Sequence, residues 1–408
     1  MMRRLLNMNF IGTFFACSYP ILNRYASPIP QVTLSEFFVM VLIGGLVLYS
    51  IDKNRRIKVC KYVVPFTLWL CVEIFLSYFF MRGEARIDSI GSLLRLFLIY
   101  VCIALMNQNL FVRKLGRKMV RAWAILLSLY GLLQIAMANL GVVLSTYLPF
   151  LIPFGGEKTI DSVVYEQMYL YGLTFRCRSF MTEPAMLCTY LILALFLELF
   201  ENKKNSMTWM CAILFTVTCL LSMSSTGIIV CGIVWVSYYF STIKKGNKIS
   251  FYRKTIGMLI VLLLSILFIA ESGIGQYFLN RTFHGNISIE GIMSSTRFYA
   301  LQTMFEGSDS ISGILVGKGL VETAEYLPGF PRVYYSLGII GLCALLHIFI
   351  KVKRTKNSSV RYLLMIYFIM NIGTEIAVGA FSVIYMAFLI NVDEMQMKGI
   401  DTTCIVKN

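Results

Sequence analysis

The chain has 408 residues, 58% hydrophobic and only 14% charged, with a mean hydropathy of +0.72. A soluble domain carries about 25% charged residues, so a water-exposed globular protein is excluded. An all-α integral membrane bundle is expected instead, because lipid offers a backbone no hydrogen-bond partners beyond its own helix. The net charge of +16 comes from short basic clusters between apolar runs, which is the layout of a topology signal and argues against nucleic acid as a partner.

In chain order, the apolar runs predict about twelve spans of roughly bilayer length: 5–22, 34–51, 62–81, 90–106, 119–140, 185–200, 207–222, 225–242, 256–272, 333–350, 362–376 and 378–392. Arg3 and Arg4 precede the first run without a small-residue cleavage site. It therefore reads as a first span and not as a removed signal. With the N-terminus inside and the spans alternating, the inner segments hold 26 of the 37 basic residues. Among them are the clusters 53–61, 113–121, 244–254 and 351–361. This alternation requires 207–242 to be a hairpin turning near Ser224, Ser225 and Gly227, and 362–392 is read as a second hairpin. Residues 1–408 then form one polytopic domain with two large outer loops, 141–184 and 273–332. Loops of this size carry function or are disordered, and their aromatic and glycine content speaks for order. Leu148 to Phe154 is apolar enough to dip back into the membrane. The cysteines lie mostly in apolar runs without a CxxC pair. They read as packing residues, neither disulfides nor a metal site, with Cys177 the nearest to the outer water.

The outer arginines are the first chemical signal. Arg82, Arg86, Arg176, Arg178, Arg281, Arg297 and Arg332 sit where topology disfavours positive charge. Their planar forks suit bidentate phosphate binding, although pairing with outer acids such as Glu84 and Asp88, or with lipid head groups, would also retain them. Glu183 immediately precedes Pro184 at the start of the sixth span. An acid before a first-turn proline caps a helix; the same acid beside Arg176 and Arg178 is also a candidate for chemistry. Arg95 and Glu73 lie inside spans, where a charge must be paired or hydrated. Both are expected to face the bundle interior, with pairing to each other one possibility, and Glu375 is a further cavity candidate. His284 in the second outer loop is a candidate base, whereas His347 reads as structural. The aromatics Tyr165, Tyr169, Tyr171 and Phe175, and Tyr326, Phe330, Tyr334 and Tyr335, suit either a sugar face or the membrane interface.

Four segments resemble, in order, the signatures of O-antigen and capsule polymerases of the Wzy type. They are Arg178-Ser-Phe-Met-Thr-Glu183-Pro184-Ala185, Leu221 to Gly227, Ser295 to Phe298 followed by Gly313 to Gly319, and Ser336 to Leu342. The usual proline before the glycine pair of the third segment is absent. The arginine-then-glycine spacing of some polymerases is not met at Arg297, where Ser308 occupies the position. The resemblance implies a glycosyltransferase at the outer face of a bacterial plasma membrane. It would join undecaprenyl-pyrophosphate-linked oligosaccharide repeat units without a metal or cofactor, alongside a chain-length regulator and a flippase. By motif it implies catalytic roles for Arg178, Glu183 and Arg297, with His284 as an alternative base. Location adds Arg176, Arg281, Arg332 and Arg95 as pyrophosphate or sugar contacts.

Three other readings compete. O-antigen ligases share the architecture but usually carry a histidine shortly before the span that begins here near 333. This chain has Arg332 in that region. A lipid-linked oligosaccharide flippase would more often show related halves, and no internal repeat is visible. A glycan polymerase of the peptidoglycan type is the third. A nucleotide-sugar transferase is disfavoured, since no phosphate-binding glycine loop of the P-loop type occurs.

Overall fold

A computed structural model of the protein describes residues 2–52, 57–79, 86–142, 144–154, 175–243, 311–320, 327–355, 357–391 and 403–405. The helices are α1 Met2–Leu22, α2 Leu34–Asp52, α3 Val64–Phe79, α4 Arg86–Asn109, α5 Arg113–Asn139, α6 Pro184–Phe200, α7 Ser206–Leu221, α8 Ser225–Ile243, the short α9 Ile311–Val316, α10 Gly329–Lys353, α11 Ser358–Gly373 and α12 Phe381–Ile390. Within α2, α4, α5, α8 and α10 lie segments long and apolar enough to cross a membrane; the other apolar stretches, such as Met8–Leu22 within α1, are shorter. The predicted span at 256–272 lies outside the described residues, as do 155–174 of the first large loop and most of the second. Lys58–Cys60 (β1) pairs antiparallel with Thr403–Ile405 (β2).

Both suspected hairpins are present. Between α7 and α8 the chain turns at 222–224, with Met223 in the left-handed region at φ 51. The ladder of contacts then runs antiparallel: Trp235 Nε1 donates to Thr216 Oγ1 at 3.0 Å, and Trp209 packs on Trp235 and Tyr238. Gly227 lets the start of α8 lie against α6, since a Cβ there would stand 2.4 Å from Cys188 Sγ. Helices α11 and α12 double back through 374–380, bringing Tyr367 and Tyr385 to 5.5 Å.

The core is centred on α6 and α12. Every residue of α6 from Leu187 to Leu199 is buried, as is every residue of α12. A helix apolar on all sides needs protein on all sides, and α1, α5, α7, α8, α11 and α12 supply it for α6. Cross-bonds lock the arrangement. Tyr190 donates to the Cys17 carbonyl at 3.0 Å, Tyr385 to Thr189 at 2.8 Å, and Trp123 to Ser18 Oγ at 2.9 Å.

The chain alternates between two ends. At one end Lys58 meets Asn109, Arg113 meets Glu201 and Asn391, and Tyr362 meets Phe200. This end gathers the described basic clusters. At the other end Arg24 meets Thr146, Arg176 meets the 222–224 turn, and Arg332 meets Glu375.

Helix α10 is broken at Gly338, whose φ of 65° and ψ of −174° are not helical. The carbonyls beside the break all find donors. Lys318 N–H donates to Tyr335 O and Gly319 N–H to Ser336 O, both at 2.9 Å, while Trp69 Nε1 of α3 donates to Leu337 O at 3.1 Å. Such complete pairing is what allows non-helical backbone within a membrane bundle. Two segments singled out in the sequence, 313–319 and 336–342, thus meet in space.

Candidate functional site

The site is built around the segment 175–184. Buried Gln134 of α5 clamps it: Oε1 accepts from the Ser179 amide at 2.8 Å, and Nε2 donates to the Ser179 carbonyl at 3.3 Å. Phe180 stacks on Tyr130 with ring centroids 4.2 Å apart. Ser179 is held at φ 52, an unfavourable conformation for a residue with a Cβ that persists only where the surroundings over-determine it. The chain turns at Arg178–Met181, Glu183 is extended, and Pro184 opens α6.

Glu183 occupies the N-cap position, yet its side chain makes no capping hydrogen bond. Glu183 lines a cavity of about 540 Å³ at the end opposite the basic clusters. The positive end of the α6 dipole favours an anion there. The ends of α1 and α2, the flank of α4 and the α11–α12 turn complete the wall, adding the charges of Arg24, Arg95, Glu36 and Glu375.

These charges are not equivalent. Glu36 belongs to a capping box: its Oε2 accepts from Thr33 N–H at 2.7 Å, and Thr33 Oγ1 accepts from Glu36 N–H at 3.3 Å. Arg24 is buried, donates to Thr146 O at 3.0 Å and lies 4.6 Å from the Tyr147 ring centroid. Glu375 is paired with Arg332 at 2.5 Å. Arg95 is the most available cation. Its side chain is 45% exposed, donates to Gln31 O at 2.8 Å and pairs with Glu36 at 3.4 Å. Those contacts with described residues use two of the five guanidinium donors.

The expected candidates therefore separate. Glu183 and Arg95 line one cavity, and Arg332 joins its wall through Glu375. Arg178 is not among the lining residues; it folds back and donates at 3.0 Å to the carbonyl of Thr182, which is. Arg176 secures the 222–224 turn through the carbonyls of Ser222 and Met223, at 3.3 and 3.1 Å. Arg281, His284 and Arg297 lie outside the described residues, as do Arg82, Tyr165, Tyr169, Tyr171, Tyr326 and the side chain of Arg86.

Two expectations are corrected. Arg95 does not pair with Glu73. Helix α4 turns Arg95 toward the start of α2, where the capping box has already fixed the Glu36 carboxylate, while Glu73 is fully buried in the core from α3. Cys177 is not near water. The clamp on Ser179 draws the loop against α5, where Gly131 lets Cys177 approach: a Cβ there would stand 3.6 Å from its Sγ. The thiol has no exposed surface, and burial pushes its pKa up to about 12. In purified protein at neutral pH, maleimide should leave Cys177 unmodified on peptide mapping. A cysteine at fully exposed Phe150 (Phe150→Cys) should react readily. Equal reactivity at the two positions would refute this placement.

Arg24 and Glu36 are site residues that sequence reasoning passed over. Both carried a signal: Arg24 follows the first span on its less basic side, and Thr33-x-x-Glu36 is a capping-box pattern.

Fold and composition define a helical membrane protein with a charged cavity at one end. The chain matches no protein-family model, and no curated protein matches it.

Proposed function

We propose that the protein is a polysaccharide polymerase. It joins lipid-pyrophosphate-linked oligosaccharide units in the cavity at its less basic end, which faces outward from a bacterial plasma membrane with the N-terminus inside. The observation that carries this reading is Glu183. It is an acid at a helix N-terminus, not used as a cap, in a cavity shared with Arg24 and Arg95. The likeness of 178–185, 221–227, 313–319 and 336–342 to Wzy-type signatures supports the same reading. So do the contacts that bring Arg176 onto the 222–224 turn and Gly317–Gly319 onto the Gly338 break.

In the proposed reaction an acceptor sugar hydroxyl attacks the anomeric carbon of the growing chain. A new C–O glycosidic bond forms, and the bond from that carbon to the carrier pyrophosphate breaks. Glu183 takes the hydroxyl proton as general base. Charge gathers on the departing lipid diphosphate, where guanidinium groups stabilise it. In this reading Arg95 contributes, together with Arg178 and with Arg297 of the second large loop. The carrier leaves as its diphosphate.

Surface glycan from a strain lacking the gene tests the proposal. Complementation with the wild type should restore long chains. Glu183→Gln or Arg297→Ala, at matched protein level, should leave single repeat units on the surface, since losing one general base typically costs about 10²–10⁴ in rate. Were single units to stop reaching the outer face in the deletion strain, the protein would be a transporter and the polymerase reading would fall.

A further inference from the structure

The opposite end of the bundle carries a second polar concavity, a groove of about 410 Å³ between the start of α5 and the loop joining α6 to α7. Lys114, Arg117, Lys118 and Arg121 line one side. Their spacings of three and four place them on one stripe of α5. Glu201, Asn202, Lys203 and Asn205 approach from the facing side.

This stripe is electrostatically unfavourable as it stands. Like charges three or four apart on a helix repel. The stripe also sits in the first turns of α5, where the dipole already presents positive charge and where the first turn has no acid. Two nearby carboxylates are committed. Glu198 is 1% exposed and bound by Arg121 through two bonds of 2.6 Å, and Glu201 is bound by Arg113. Among the described residues no carboxylate pairs with Lys114, Lys118 or Lys203; Arg117 donates to the Glu201 carbonyl at 2.7 Å, and its Nε lies 4.0 Å from the Glu201 carboxylate. A topology signal accounts for the number of positive charges at this end; it does not require them to converge on a groove.

The groove lies beside an aromatic cluster. Trp209, Trp235 and Tyr238 pack together on α7 and α8, and Lys204 Nζ lies 4.7 Å from the Tyr238 ring centroid. Tryptophan and tyrosine gather at the level of lipid head groups, and basic pockets between helices at the inner side bind anionic ones. We infer that this groove binds the phosphate of an anionic phospholipid head group, held by Lys114, Arg117, Lys118 and Lys203. The inference is independent of the proposed enzymatic reaction.

Full-length protein stripped of lipid in a neutral detergent would be titrated with phosphatidylglycerol, with phosphatidylcholine and with sodium phosphate. Retained lipid is read by native mass spectrometry and thermal stability by its midpoint. Phosphatidylglycerol should bind and raise the midpoint, and phosphatidylcholine should do neither. The triple variant Lys114→Gln, Lys118→Gln, Lys203→Gln should weaken phosphatidylglycerol binding at least about tenfold while melting like the wild type in detergent alone. A control triple at the same end, Lys351→Gln, Lys353→Gln, Arg361→Gln, should retain binding. Equal loss in the control would reduce the effect to general charge attraction and overturn the site. Inorganic phosphate saturating the groove as tightly as the lipid would overturn the head group as its ligand.

Discussion

Gly338→Ala should be among the most damaging single substitutions in the chain, lowering stability by more than about 3 kcal/mol. At φ 65° and ψ −174° the residue occupies a region open essentially to glycine, and a Cβ would stand 2.3 Å from the Leu315 carbonyl oxygen. Backbone strain of this kind costs on the order of 1–3 kcal/mol, and forcing an added carbon into packed surroundings costs about 1–3 more. The break cannot simply relax into a helix, because the amides of Lys318 and Gly319 already occupy the carbonyls of Tyr335 and Ser336. Gly44→Ala in α2 provides the contrast: nothing lies within 4 Å of its Cβ position, and alanine there should be neutral or stabilising by up to about 1 kcal/mol. Thermal unfolding of both variants in the same detergent checks the pair. A Gly338→Ala protein that melts within a degree or two of the wild type would show that the break is not what holds α9 and the 317–319 segment in place.

Arg113→Ala should cost about 3 kcal/mol, because a buried carboxylate loses both of its Arg113 hydrogen bonds and keeps only Arg117, 4.0 Å away. Arg113 is 7% exposed and Glu201 9%. The guanidinium holds both Glu201 oxygens and also donates to the carbonyls of Phe388 and Asn391, closing the end of α12. Removing both charges with Arg113→Met and Glu201→Leu should recover much of the loss, since a buried ion pair replaced by apolar groups is often neutral. It should not recover all of it. The α12 carbonyls would still lack their donor, at about 1–3 kcal/mol. Denaturant or thermal unfolding of the two single variants and the double variant measures the coupling. Strictly additive losses would mean that Arg113 acts on α12 alone and that its pair with Glu201 is incidental.

Much of this architecture was readable from hydropathy and charge. Apolar runs marked the described long helices, and the demand that basic clusters share a side required the 207–242 hairpin that Met223 and Gly227 build. The break in α10 was not readable in the same way. A glycine inside an apolar run looks like any other until the segment that pairs with its flanks is known, and that segment lies 17 or more residues earlier. The site was legible as single residues and not as contacts. Glu183 before Pro184 announced a helix start, but whether its carboxylate caps the helix or serves the cavity depends on side-chain geometry. Arg95 was expected inside the bundle, yet its partner comes from a capping box on α2, chosen by helix rotation. The burial of Cys177 follows from Gln134, a polar residue that a hydropathy scan reads only as a weak point in α5.

The burial of α6 has a mechanical consequence. It is a rod of 17 residues, about 25 Å long, and it touches the basic end through Glu198, pinned by Arg121, and through Glu201, just past its C-terminus, pinned by Arg113. Sliding or rolling the rod would tear those ion pairs and displace the close-packed residues on every side. The height at which Glu183 meets the opposite cavity is therefore set by anchors a full bundle-length away, so the alignment of that carboxylate depends on ion pairs that no substrate in its cavity would reach.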